Sequence, residues 1–497
     1  MDNHMLKQNV SSGDLNNEYY NRIHSIIDNI NDVIFLTEDK GWINGNGEKV
    51  NCGTWNNESR IATLDNSINQ QGKLFIIAVS NVTIDGTGTT IGNNDIAVSI
   101  LSQRDIALKN FIVEGCELGV YIEFCQGISV QYISFKENKQ SISINRSTEV
   151  KIKNNLIESE KNSSLGIYVL DSGKILVQDN SIYIKVNIHD EGEESSYCGI
   201  ITENSTAIFI LNNEIDISKG YSEVKNLESY CVNSYCISCY SSYDTLIKSN
   251  NLYIKNNNLN FYDCNVLELN FSPIYLDSNN AKIDIEENNI VVGFNKFDVQ
   301  CNIGGIGFYG IVYSNKNNAN SIKNNYISIE SNTYDLNSGE NPAKYICFMG
   351  ILLDSYNNYN EIKENQIYLQ GNTTSFKQDS NRAVNLLCGT YLNDKNNTNN
   401  IIDNDFIIKE NNIDERESII TTFSLIYLYY DNICNTIKGN NLNEGQGNKI
   451  KLINKNDITE ILENNIITNL SNEVLLSELE TIKETNMVVI NGNNIIN

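Results

Sequence analysis

An aliphatic residue, two further positions, an asparagine, one more position and a second aliphatic: this pattern constrains the chain more than any other feature. It stands in IKNNYISI at Ile322–Ile329 and recurs as IKENQI at 362–367 and IKGNNL at 437–442. Looser copies are IEENNI at 285–290, ILENNI at 461–466 and INGNNI at 490–495. The fourth position reads Asn155, Asn180, Asn213, Asn250, Asn288, Asn325, Asn365, Asp405, Asn440, Asn464 and Asn493, at gaps of 24 to 40 residues. Self-similarity on this scale marks a solenoid, whose units bury their apolar faces only against their neighbours.

Around the asparagine each unit follows one plan. A strand such as GIYV or GILL leads through a polar turn into a second strand such as EIK, then the Asn turn and a third strand such as YISI. Alternation within each piece has period two, so the pieces are strands. Three short strands per coil, each stacking on its equivalent, make a right-handed parallel β-helix, the hand favoured for parallel connections. A buried amide at the bend can bond the amide of the next coil and the backbone beside it, building a ladder. A leucine-rich repeat would require LxxLxLxxN on a 20–29-residue period, and a left-handed hexapeptide helix a six-residue period. Neither stands here.

The pattern divides the chain. Residues 1–40 read as an N-terminal cap, with Tyr19, Ile23, Ile26, Ile27 and Ile30 spacing an amphipathic helix over about 15–31 that covers the open end of the first coil. Residues 41–73 read as an irregular entry segment, 74–470 as the β-helix of twelve to fourteen coils, and 471–497 as a last coil and C-terminal edge. In the first coils Val98, Ile100, Ile106 and Leu108 align with Val120, Ile122, Ile128 and Val130.

A formal charge of −26 disfavours nucleic acid and anionic membranes as partners, since both demand clustered Lys and Arg. No run approaches a membrane span, and MDNHMLKQNVSSGD has no apolar core of a signal peptide. None of the twelve cysteines has zinc-ligand spacing, and the lone CxxC at Cys236 and Cys239 reads as apolar filler, with redox or metal use as its alternative. Free thiols favour synthesis and folding in a reducing cytoplasm.

TIDGTGTTI at 83–91 resembles the opening coil of pectin-lyase-like right-handed β-helix proteins, and the GIY–NxI units resemble the carbohydrate-associated and NosD-like repeats of that superfamily. The resemblance spans roughly 74–497 and implies the fold. It also implies a ligand groove along the first strand of each coil, walled by neighbouring loops, and carbohydrate as the partner. Activities on this fold range from lyases and hydrolases to tailspikes and inert scaffolds.

In register, the first strands place Val120, Ile167, Ile200, Ile237, Ile274, Ile311, Ile351, Thr390 and Ile426 inward. One outward column holds Tyr121, Ser143, Tyr168, Ile201, Ser238, Tyr275, Val312, Leu352, Tyr391 and Tyr427. The next holds Glu123, Asn145, Leu170, Glu203, Tyr240, Asp277, Ser314, Asp354, Asn393 and Tyr429. On the functional reading, Tyr168, Tyr240, Tyr275, Tyr391, Tyr427 and Tyr429 bind sugar rings, while Asp277, Asp354 and Glu203 are the catalytic candidates. Asp277 and Asp354, two coils apart, would stand ~9.6 Å from each other, at the upper edge of the ~6.5–9.5 Å of an inverting glycosidase. On the bland reading tyrosine is a good strand former and the aspartates only end strands.

The catalytic motifs of the superfamily are absent: no NTD, DD, GHG and RIK set, no arginine beside an acidic calcium cluster, no DPHD. His4, His24 and His189 all lie off the groove strands. No cofactor is expected; the only candidate for Ca²⁺ is the acidic run Asp190–Glu194, which lacks DxDxDG spacing. The segments 187–198, 218–235, 256–273, 331–348 and 371–388 read as long loops walling the groove. Self-association through the C-terminal edge is a further expectation. Three functions therefore stay open: a polysaccharide-binding protein, with or without cleavage or modification of its ligand, a non-catalytic surface, phage-tail or adhesin scaffold, and an intracellular enzyme on a small substrate.

Overall fold

A computed structural model describes residues 33–65, 72–92, 95–188, 194–225, 230–336, 345–376, 384–413, 420–444, 448–452, 459–462, 465–467, 488–491 and 494–496. The helix expected over 15–31, the acidic run before Glu194, all three histidines and residues 471–485 lie outside them. The described residues form only β-structure, in three sheets of 19, 16 and 14 strands. Each coil contributes a strand to each, as in Leu165–Leu170 (first sheet), Gly173–Gln178 (second) and Ser181–Lys185 (third). Pairing between coils is parallel and in register, Ile167 with Ile142 and Ile200 for example. The chain is thus a parallel β-solenoid of the right-handed type, the architecture that the asparagine repeat and the resemblance both implied.

Alternation explains the strands. Ser181–Lys185 buries Ile182 and Ile184 and turns Ser181, Tyr183 and Lys185 outward. The bend before the third sheet is held by the amide column. Asn180 donates from Nδ2 to Asn213 Oδ1 (3.0 Å) and to Ile152 O (2.9 Å), while its backbone N–H donates to that same Asn213 oxygen (3.0 Å). A left-handed residue precedes each ladder position, such as Asp179 (φ 55°) and Asn324 (φ 54°). That conformation costs about 1–2 kcal/mol per non-glycine residue, which the satisfied amides offset. One position departs from expectation: Asn404, not Asp405, occupies the ladder, bonding Asn365 and Asn440. A carboxylate has no N–H to pass upward.

The entry segment is more ordered than its composition suggests. Gly41–Asn44 pairs antiparallel with Val33–Thr37, and Gly53–Asn56 with Ile61–Leu64. Trp42 is buried edge-on against Phe75, with ring centroids 5.8 Å apart. These two hairpins occupy the sheet edges at the start of the solenoid.

The largest departure lies in the middle coils, where most of the expected loops are strands. After the third sheet the chain passes a second buried amide column (Asn257, Asn295, Asn332, Asn372, Asn411), each Nδ2 on the next Oδ1 within 3.0 Å. It then runs outward as stacked strands: Tyr221–Lys225, 258–262, 296–299, Thr333–Leu336 and Thr373–Phe376. A returning arm, 302–308 in one coil and 345–349 in the next, leads back into the first sheet. Outgoing strand and arm form a fin with its own lining, in which Phe297 packs against Phe271 (5.1 Å) and Phe308 (5.5 Å), and Phe308 stacks on Phe348 (5.1 Å). A wider lumen packed at interior density needs larger side chains.

Candidate functional site

Both outward columns read from the sequence pair coil by coil as expected: Tyr168 with Ile201, Ser238 with Tyr275, Leu352 with Tyr391 and Tyr391 with Tyr427, beside Glu203 with Tyr240 and Tyr240 with Asp277. Their surroundings differ from a solvated stripe. In the middle coils the fin's returning arm runs on into the first-sheet strand at an angle marked by a break in alternation at Gly310, Gly350 and Gly389, with Phe308 and Ile311, or Phe348 and Ile351, both inward. Outward side chains of the two limbs pack together, Met349 with Tyr391 for example. Tyr168, Tyr275, Tyr391 and Tyr427 keep only 4%, 4%, 7% and 4% of their surface. Their rings are not open platforms for a sugar in this structure. Tyr240 is half-buried and Tyr429 exposed.

The tyrosines pack on one another and across the angle. Tyr275 of the floor stacks on Tyr235 of the wall at 4.6 Å and 15°. Tyr391 lies 5.0 Å from Tyr427 and 6.5 Å from Tyr429. Farther down the same face Cys347, Met349, Leu386 and Cys388 of the wall form a buried apolar cluster with Tyr391 and Tyr427.

The three carboxylates are distributed along the floor. Glu203 Oε2 accepts the Tyr168 hydroxyl at 2.8 Å, and Asp277 Oδ1 the Ser278 hydroxyl at 3.0 Å. Asp354 Oδ1 accepts from Asn393 Nδ2 at 2.6 Å, and Asn393 Oδ1 accepts from Tyr391 at 3.2 Å. Burial pushes the Asp354 carboxyl above the usual carboxylate range; hydrogen bonds from Asn393 and Ser355 pull it back, and the charge of Asp277 pushes it further up. Asp277 and Asp354 stand two strands apart in the column, with Ser314 between them.

Sequence reasoning missed the wall. Glu268 Oε1 accepts a 2.7 Å hydrogen bond from the Tyr345 hydroxyl, across an intervening coil. Asn270 Nδ2 donates to Glu268 Oε2 (3.4 Å) and to Asn233 Oδ1 (3.1 Å), which also accepts from Tyr235 (3.2 Å). Glu268 and Tyr345 sit in segments read as loops, so no register could place them facing the groove.

Other candidates are structural. Cys236 and Cys239 are both inside the core; burial pushes the Cys239 thiol up to about 12 and raises that of Cys236 well above the ordinary thiol value. Both stay protonated. Ten of the twelve cysteines, Cys52, Cys198, Cys347 and Cys388 among them, are free thiols, and no group of three His, Cys, Asp or Glu among the described residues is placed to hold a metal ion. A shallow 280 Å³ hollow on the outer face of the second sheet, lined by Arg60, Asn81, Asp105 and Ser129, lies away from the groove.

No family model matches the chain, and no curated protein does. Among solved structures it is similar to PfbA, a surface adhesin of Streptococcus pneumoniae (12% identity, 72% of this chain and 83% of that one, TM-score 0.35). It is also similar to DFA-IIIase from Arthrobacter chlorophenolicus A6 without its lid (13%, 59% and 66%, TM-score 0.31). A third is a mutant tailspike protein of E. coli bacteriophage HK620 in complex with pentasaccharide (9%, 84% and 72%, TM-score 0.34). At such identities and scores these likenesses go no further than the solenoid architecture.

Proposed function

We propose that the protein binds carbohydrate along the angle between the first sheet and the fin. The observation that carries this reading is the in-register column Glu203, Tyr240, Asp277, Ser314, Asp354, Asn393 and Tyr429. It sets a hydrogen-bonding side chain every ~4.8 Å along the axis, close to the repeat of an extended glycan. A linear polymer of hydroxyl-rich units matches a linear array of carboxylates, amides and phenols, each group able to meet a different unit. Within this reading Asp277 and Asp354 are the candidate acid and base of a hydrolytic reaction.

The test incubates the protein with neutral and acidic polysaccharides, with and without Ca²⁺, following bound ligand, new reducing ends and the ultraviolet absorbance of unsaturated uronates. Binding of at least one glycan is expected. Reducing ends lost in Asp277→Asn and Asp354→Asn, with folding intact, would add hydrolysis; absorbance would mean a lyase. No binding across the panel sinks the reading.

A non-catalytic scaffold is the second reading. What favours it is the near-complete burial of Tyr168, Tyr275, Tyr391 and Tyr427, which makes the outward stripe a packing layer. Binding without turnover would fit an adhesin-like role of this kind. An intracellular enzyme on a small substrate is the third reading, supported by the free cysteines alone.

A further inference from the structure

We propose that the ligand is held principally by the wall of the fin, where Glu268, Tyr345, Asn270 and Asn233 form a binding site for the hydroxyls of a neutral oligosaccharide. The proposal rests on the carbohydrate reading above and deepens it.

Accessibility is the first ground. Tyr168, Tyr275, Tyr391 and Tyr427 of the floor are buried, whereas Asn233, Tyr235, Glu268, Asn270 and Tyr345 are all partly exposed. Glu203, Tyr240, Asp354 and Asn393 of the floor are partly exposed as well, and Tyr429 is exposed. What distinguishes the wall is that Asn233, Tyr235, Glu268, Asn270 and Tyr345, drawn from three coils, are joined in one hydrogen-bonded set. A second ground is construction. A Cβ on Gly305 would stand 2.2 Å from the Tyr345 ring, and one on Gly307 1.9 Å from the ring of Tyr309. Both rings lie on bare backbone. Because Gly305 has no side chain, Tyr345 crosses its coil and reaches Glu268 in the coil before. The two glycines thus flatten the wall over one whole coil and fix a phenol on a carboxylate.

The chemistry of the set defines the ligand. Glu268 holds two acceptor oxygens, Asn270 and Asn233 supply amide donors and acceptors, and the Tyr345 ring adds an apolar face. Polar groups placed for a neighbouring pair of hydroxyls beside an aromatic face suit a neutral pyranose. The carboxylate opposes a uronate at the same place, since like charges in a partly desolvated cleft repel.

The test is calorimetric titration of the full chain with neutral hexose and N-acetylhexosamine oligosaccharides and with oligogalacturonate. Glu268→Gln, Tyr345→Phe and Gly305→Ala are compared with Asp277→Asn, and thermal unfolding checks that each variant folds. The wall variants are expected to weaken neutral-ligand binding about tenfold or more, as for loss of a hydrogen bond to a charged group, and by more than Asp277→Asn does. Gly305→Ala keeps every polar group and only displaces the Tyr345 ring; should it not fold, Tyr345→Phe asks the same question by losing one hydroxyl. Wall variants that bind like the unaltered protein while Asp277→Asn loses binding overturn the proposal and leave the carbohydrate reading standing, as does a preference for oligogalacturonate. No binding by the unaltered protein removes both.

Discussion

The early and middle coils share an axis and a floor but differ in girth. Between Val98 and Ile142 the first-sheet partner returns every 22 residues; from Ile200 to Ile311 it returns every 37, and from Ile311 to Ile351 after 40. The extra residues go into the fin. Early coils are lined by β-branched aliphatics such as Val120, Ile144 and Ile152, whereas middle coils add Phe271, Phe297, Phe308, Tyr334 and Phe348. Corner chemistry changes as well. At the turn between the first and second sheets the early coils use Cys125, Ser147, Ser172 and Ser205, passing backbone N–H to side chain at 3.0–3.1 Å. From Asn280 onward the same corner is an amide column through Asn317, Asn357, Asn396 and Asn432. A hydroxyl can accept one N–H and donate one bond; an amide can also bond its own kind. The wider coil adds polar backbone at more bends, and each bend is closed by another ladder.

The largest contrast should come from the fin lining. Phe308→Ala removes a ring packed on Phe271 and Phe348, and is expected to cost about 3–5 kcal/mol. In an early coil Ile144→Ala should cost about 2–5 kcal/mol. Urea unfolding followed by tyrosine fluorescence and circular dichroism would separate them, the early loss lowering one sub-transition and the fin loss another, since a solenoid need not unfold as one unit. Equal effects on all transitions would mean that the two regions form one cooperative body.

Next in size is the ladder. Asn325 Oδ1 accepts from Asn288 N and Nδ2 (2.9 and 3.0 Å), and its own Nδ2 donates to Ile285 O and to Asn365 Oδ1. Asn325→Ala orphans buried groups on both neighbouring coils, at about 1–3 kcal/mol for each unsatisfied group. Asn325→Asp should restore little, because a carboxylate cannot donate to Asn365. Hydrogen exchange at Asn288 and Asn365 should rise in the alanine variant and stay protected at Ile152.

This ladder also shows what was legible. Period-two alternation and the asparagine repeat were enough to assign the parallel solenoid and the register of two outward columns, because one-residue slips exchange the faces. In IIDNDF the register read from the sequence took Asp405, one residue beyond Asn404; the need for a donor assigns the position to Asn404. The fin was missed because its strands are short, polar on one side and joined by segments of varying length. A signal was nonetheless present: Asn257, Asn295, Asn332, Asn372 and Asn411 each follow a ladder asparagine (Asn250, Asn288, Asn325, Asn365 and Asn404) by seven residues, and both members are buried ladder positions. The burial of Tyr168 and Tyr391 could not be read at all, since alternation tells which face a side chain takes and not what packs on that face.

A smaller effect is expected at the angle itself. A Cβ on Gly350 would meet Ile367 Cγ2 at 2.4 Å and Gly389 O at 2.6 Å. Gly350→Ala should therefore push the wall away from the third sheet at about 1–3 kcal/mol. It should also loosen the Met349–Cys388–Tyr391 packing. Near-ultraviolet dichroism of the tyrosines would register the shift, and an unchanged spectrum would show that the angle tolerates a methyl group.

The smallest effect separates the wall from the floor by pH. Asp354 has a raised carboxyl pKa, chiefly from burial, so the folded chain holds this proton more tightly than the unfolded chain does. Below the unfolded value both states are protonated and the group contributes nothing to the pH slope. As pH climbs from there through the raised folded value, the unfolded chain releases its proton first, and the folded state loses stability relative to it. Asp354→Asn removes that loss while the neutral amide remains beside Asn393. The variant should therefore gain stability over the unaltered protein as pH rises from the acid range to neutrality, with the difference constant once Asp354 is ionised in both states. Urea midpoints taken across that range would show the gap opening. A gap that narrows instead would mean that the ionised carboxylate is stabilised by the hydrogen bonds of Asn393 and Ser355, and that burial is not the dominant influence on this edge of the floor.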